Sequence, residues 1–269
     1  MPEVVYRGLE AVGVPLIGKE EENFAVRLRT IRTKSWFPVP EVQDEPAAIL
    51  VNLSGQTILA FAANWKYSDA QGMIQRKTVY ALNSSNQWEA LRGRGGIVPH
   101  DNSIILPGSQ RLILEERICG DNQDVVPPEM GMGGRSFGGG GRRVSPHSGR
   151  EPDRVELSLD AVILDDGRMV GPDRSGFLDG VVQALAEELE LAERMLEALR
   201  RDGTPGALLD LMRPLARAER RVPPRMYSSH HMFFHRAMHV LLHESEEEIR
   251  RWVEQEASPP RLQLRRAVI

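Results

Sequence analysis

The stretch from Arg154 to Leu199 changes its hydrophobic rhythm partway along, and that change restricts the architectures open to the chain. Val155, Leu157 and Leu159 alternate with polar neighbours, the period of a strand with one face buried. Asp165-Asp166-Gly167 supplies a reversal, because glycine tolerates the positive φ of a tight turn. The run from Gly171 to Gly176 then breaks the pattern. From there Leu178, Val182, Leu185, Leu189, Ala192, Leu196 and Leu199 recur at alternating spacings of four and three, which is a heptad seam. A strand-built part therefore ends near residue 172, and a helix-built part begins.

Upstream, the signals are those of strands. Asn23 to Arg32 alternates, with Phe24, Val26 and Leu28 opposite Arg27 and Arg29, and predicts a strand. Residues 46–53 and 57–67 flank Ser54-Gly55-Gln56, a turn of hairpin length. Residues 73–82 read as another strand, and 104–114 as a strand, a Pro107-Gly108 turn and a further strand. Val12 to Ile17 suits a short edge strand, since Pro15 has no N–H for a central ladder. About seven strands between residues 22 and 170, with no intervening helix, predict an antiparallel β-sandwich. The strand ending in Asn52-Leu53-Ser54-Gly55, the long aromatic strand after it and the later Leu106-Pro107-Gly108 resemble immunoglobulin-like modules. The resemblance covers roughly the first three-fifths of the chain and lacks the Cys…Trp…Cys hallmark of antibody domains.

Two further stretches complete the organisation. Within 119–153, seven of the eleven positions from Gly131 to Gly141 are glycine, and such a run loses too much entropy on ordering to hold one backbone state. It is expected to be a disordered Gly/Arg-rich loop. Beyond the heptad helix, one helix runs from about 205 to 219 and another from about 228 to His243. Ser245 and Glu248 form a capping box that opens a last helix, with Ile249, Trp252 and Val253 inward. The expected fold is thus α+β: an antiparallel, Ig-like sandwich over 1–172, a helical bundle or appendage over 173–260, and a basic tail over 261–269.

Composition narrows the function classes. The 34 basic and 38 acidic residues leave a net charge of −4, so no global electrostatic case exists for nucleic acid or an anionic membrane. Cys119 is the single cysteine, which excludes an intramolecular disulfide and a multi-cysteine metal site. No apolar run approaches the ~20 residues of a membrane-spanning helix. Met1 to Gly8 lacks the basic and apolar regions of a signal peptide, so the chain as written is expected in the cytoplasm. An exported mature form stays open, because an initiating Met can replace a leader.

Five of the seven histidines lie between His230 and His243. His231, His235, His239 and His243 are four apart and form one stripe along a helix. Imidazoles at this spacing can share a metal ion, so His231, His235 and His239 are the candidate ligands of a zinc-type site. Phe233, Phe234, Ala237, Met238, Val240 and Leu241 account for the burial of the same helix, leaving the stripe as its polar face. Asp165, Asp166, Asp173 and Asp179 crowd the strand-to-helix junction, but they lack EF-hand spacing; Asp165-Asp166-Gly167 suits a turn and Asp173 a cap or Asx-turn. Arg135, Arg142, Arg143 and Arg150 in the glycine-rich segment are the candidate contacts for nucleic acid. No catalytic arrangement is evident; His100, His147 and Cys119 have no partner pattern. The expected function is that of a non-enzymatic binding or scaffold protein without a cofactor. Its partner is expected to be a protein, with a homodimer through the 178–199 helix as one form. Metal binding through the histidines is the alternative, and a nucleic-acid accessory role the weaker one.

Overall fold

The computed structural model describes residues 3–34, 39, 42, 46–72, 74–81, 89–92, 104–114, 118–120, 152–204, 206–219, 229–260 and 262–267. It is a mixed helix-and-strand structure with, among the described residues, two sheets and no barrel. The chain divides into two compact units, Met1–Phe177 with Leu262–Ile269, and Leu178–Arg261. Among the described residues no helix is long and apolar enough to cross a membrane.

The larger sheet is built around β8 (Arg154–Leu164) and β4 (Ile58–Ser68), which pair antiparallel from Ser68↔Arg154 to Ile58↔Leu164. The far edge of β4 carries β5 (Ile74–Ala81). The other edge of β8 is shared. β1 (Glu3–Arg7) runs parallel along residues 154–158, and β9 (Arg168–Val170) runs antiparallel along 162–163. β8 alternates in burial up to Leu159 and is buried at every position from there to Leu164, as a strand with neighbours on both edges and cover on both faces should be.

The smaller sheet is antiparallel throughout, in the order β2 (Leu16–Gly18), β3 (Ala47–Val51), β6 (Gln110–Leu114), β7 (Ile118–Gly120). Leu16, Ala48, Leu50 and Ile113 turn one face into a core shared with Phe61, Trp65, Leu157 and Leu159 of the larger sheet. Ile17, Ala47, Ile49, Val51, Leu112 and Leu114 turn the other face onto Phe24 and Ile31 of helix α1 (Phe24–Lys34). Burial on both faces explains why β3 reads as an unbroken apolar run.

Three strand expectations are corrected. Residues 23–32 form α1 and not a strand. Phe24 and Ile31 lie seven apart on its buried side with Leu28 between them, whereas Val26, which alternation would place beside Phe24, is 65% exposed. A helix therefore does intervene among the strands. Residues 46–53 and 57–67 are not a hairpin, because β3 and β4 belong to different sheets. The corner between them is held by Asn52, which is fully buried. Its Nδ2 donates to the carbonyls of Gln56 (2.7 Å) and Ile105 (2.8 Å), and its Oδ1 accepts from the Ser54 N–H (3.1 Å) and hydroxyl (2.6 Å). Finally, the strands are not all antiparallel: β1 pairs parallel with β8, and β10 (Arg265–Arg266) pairs parallel with β9. An immunoglobulin-like arrangement is not confirmed by this topology.

Part of the segment expected as a basic tail returns to the strand unit as β10. The Arg265 N–H donates to Gly167 O (2.9 Å) and the Ala267 N–H to Met169 O (2.9 Å). Gly167 has φ 82°, and a β-carbon there would collide with the Gln263 carbonyl. The residue therefore serves both the turn and the seat of β10.

The end of the strand unit is organised by Asp160, which is 1% exposed near the end of β8. Its carboxylate accepts from the Arg174 N–H (2.9 Å), the Ser175 N–H (2.8 Å) and the Ser175 hydroxyl (2.6 Å). Its carbonyl accepts from the Asp173 N–H (3.0 Å), and a β-carbon at Gly171 (φ 123°) would strike that same carbonyl. Asp173 itself is held at φ 49° while its carboxylate pairs with Arg266 (2.9 Å). These bonds fix the loop of residues 171–176, from which helix α2 (Phe177–Asp202) departs.

In the helical unit, α2 is followed by α3 (Gly206–Glu219), α4 (Ser229–His243) and α5 (Glu246–Glu256). The heptad expected on α2 is present with a shifted frame. The buried seam positions are Leu178, Val181, Leu185, Glu188, Ala192, Met195 and Leu199, with Phe177, Leu191 and Ala198 buried beside them. Val182 is 43% exposed, and Leu189 and Leu196 are half-buried. Leu191, Ala192, Met195, Ala198 and Leu199 pack with Leu208, Met212, Phe233, Ala237, Ile249 and Val253. That half of the seam is packed within the chain. The capping box of α5 is formed, with Ser245 and Glu248 bonding each other's backbone N–H groups.

Replacing Asp160 by Ala leaves two N–H groups and a hydroxyl without their acceptor and is expected to destabilise the strand unit by roughly 2–4 kcal/mol, read from urea unfolding. A loss below about 0.5 kcal/mol, the scale of a surface substitution, contradicts the role assigned to it.

Candidate functional site on the histidine helix

Helix α4 owes its orientation to two kinds of residue. Phe233 and Ala237 are fully buried, and Val240 and Leu241 pack half-buried against the same core. At about 100° per residue, Leu242 then points away from that core, and His239 lies beside it on the outward side. Leu242 is 62% exposed, and His239 and His243 are exposed with it. The rings of His239 and His243 lie 4.9 Å apart between centroids and are tilted by 50°.

Arg236 sits at the margin of the buried stripe. Its Nη2 lies 3.7 Å from Glu188 Oε2 of α2 and 3.8 Å from Glu256 Oε2 of α5. The two glutamates are 1% and 3% exposed and the arginine side chain 18%. The guanidinium also lies 5.8 Å from the centre of the Phe233 ring, which packs 5.7 Å from Trp252 of α5. One cation thus connects two buried carboxylates from different helices, with an aromatic face on a third side. The arrangement sets the rotation of α4 about its axis, and with it the direction in which His239, Leu242 and His243 project.

Of the expected zinc ligands His231, His235 and His239, only the His239 side chain is described. The α4 backbone carries His231 and His235 at the same spacing, and their side chains lie outside the described residues. Among the described residues no group of three or more His, Cys, Asp or Glu side chains could hold a metal ion. The Cys119 side chain and residues His100, Arg135, Arg142, Arg143, His147 and Arg150 also lie outside the described set, as does the glycine-rich run.

Of the junction acids, Asp165 and Asp166 lie in the β8–β9 turn, whereas the Asp173 carboxylate pairs with Arg266 (2.9 Å). Asp165 Oδ2 accepts from the Thr57 N–H (3.1 Å), and Asp166 accepts from the Arg168 N–H (3.0 Å) and pairs with its guanidinium (2.6 Å). Burial pushes the Asp166 carboxyl up, but hydrogen bonds with Gln56 and Arg168 and the charge of Arg168 together hold it below the usual range. The Ser245 hydroxyl and N–H likewise hold Glu248 below its ordinary value at the start of α5.

Asp160, Glu188, Arg236 and Glu256 were not singled out by sequence reasoning. Glu188 carried a signal: in the frame of Leu178, Val181 and Leu185 it occupies a seam position, where a charge demands a partner. Arg236 carried another, standing between Phe233 and Ala237 on the apolar side of α4. Comparison of the chain with family models, with curated proteins and with solved structures finds no match.

Arg236→Met removes the cation shared by Glu188 and Glu256 and is expected to cost the helical unit about 3–5 kcal/mol in stability. Adding Glu188→Leu and Glu256→Leu to it should recover most of that loss in thermal unfolding followed by circular dichroism. A single variant as stable as the parent contradicts the assignment.

Proposed function

We propose that this chain is a non-enzymatic binding protein that recognises a protein partner through the outward side of α4. The strand unit serves in this reading as a sandwich scaffold of immunoglobulin-like kind, which two sheets enclosing one core support. The observation that carries the proposal is Leu242, 62% exposed on a helix whose other side supplies Phe233 and Ala237 to the core. Burying one leucine in a partner's pocket contributes roughly 1.5–3 kcal/mol, enough for a contact that dominates an interface. His239 and His243 flank it and give the rim of such a contact its polarity. Leu209, 38% exposed, and Val182, 43% exposed, add apolar surface in the same unit. The buried acids support the same reading. Asp160 and Asp173 hold backbone and Arg266, while Glu188 and Glu256 hold Arg236, so these charges act in structure and not at a reacting centre.

The test compares the full chain with Leu242→Asp as immobilised baits in native extract, with helical content checked by circular dichroism. The parent is expected to retain a partner in stoichiometric amount, and the variant to lose it by on the order of tenfold or more. Equal retention by both proteins, or none by either, contradicts the proposal.

A further inference from the structure

We infer that His239 and His243 form a two-imidazole chelate for a borderline divalent transition-metal cation, Cu²⁺ before Ni²⁺ or Zn²⁺. The inference is independent of the protein-binding reading. It rests on the placement of the two rings, one helical turn apart on the exposed side of α4 with centroids separated by 4.9 Å. A metal bound about 2 Å from an imidazole nitrogen lies roughly 3.2 Å from that ring's centroid. Two such arms spanning 4.9 Å close at an angle of roughly 100°, between the square and tetrahedral values that these ions accept. Both side chains are exposed, so rotation about χ2 can turn the nitrogens toward a common point without disturbing the core.

The surroundings favour a cation. His243 stands in the last turn of α4, where the unsatisfied carbonyls and the helix dipole present negative potential. Exposed Glu244, Glu246 and Glu247 follow it directly at the corner into α5. Two nitrogen ligands leave the remaining coordination positions to water. Such a site selects by the general order of divalent affinity and not by an enclosing cage, which is why Cu²⁺ should bind most tightly. The pair differs from the His231, His235 and His239 set in using the last turn of α4.

The experiment is calorimetric titration of CuCl₂ and ZnCl₂ into the full chain without an affinity tag, with Cu²⁺ ligation read from nitrogen hyperfine structure in electron paramagnetic resonance. One saturable site per chain is expected, tighter for Cu²⁺ than for Zn²⁺ and showing two nitrogen ligands. His243→Gln and His239→Gln should each weaken it on the order of tenfold or more, because a chelate loses its second, effectively intramolecular contact. His235→Gln should leave it unchanged, and circular dichroism should show α4 intact in all three. No saturable binding overturns the inference. So does binding that survives His243→Gln but is lost in His235→Gln, which would move the site one turn toward the start of the helix.

Discussion

The buried carboxylate of Asp160 is the constraint from which the order of the molecule follows. Transferred unpaired from water, an acid in that position would cost several kcal/mol, and three short hydrogen bonds from Arg174 and Ser175 offset the cost. Those donors belong to a loop whose backbone is otherwise unfavourable, with Asp173 at φ 49° and Gly171 where no side chain fits. The acid therefore does two things at once: it closes the end of β8 and holds the six residues that precede α2. β8 is the strand on which β1, β4 and β9 all pair, so an anchor at its end bears on the whole larger sheet.

How much of this was legible beforehand depends on what kind of information each element uses. The β8–β9 turn at Asp165-Asp166-Gly167 and the capping box at Ser245 are local, written in a few adjacent residues, and they are where the sequence placed them. α1 was not legible. Its eleven residues satisfy a period of two nearly as well as one of 3.6, and only the sheet beneath it decides which side is buried. The β3–β4 connection failed for a related reason. A three-residue turn between strands suits a hairpin, but Asn52 spends its side-chain hydrogen bonds on both sides of the corner and so directs the chain into a second sheet. β1 and β10 are paired by long-range contacts that no local pattern announces.

The histidine helix shows the same division. Its existence and the four-residue stripe follow from spacing alone, but the direction of the stripe does not. That depends on Arg236 reaching two glutamates distant in sequence, one of which falls on the heptad seam only when the frame is set by Val181 instead of Val182. A shift of one residue separates an amphipathic helix with an ordinary seam from one carrying a buried acid. The charge cluster and the outward histidines are in this sense one feature, because the first sets the rotation that presents the second.

Amide hydrogen exchange at Arg174 and Ser175 tests the central claim most directly. If Asp160 holds the loop, those two N–H groups exchange as slowly as the core amides of β8, although they lie in a connecting segment at the end of the strand unit. Exchange at the rate of an open loop, with β8 still protected, would show that the carboxylate does not bind them and that something else fixes the start of α2.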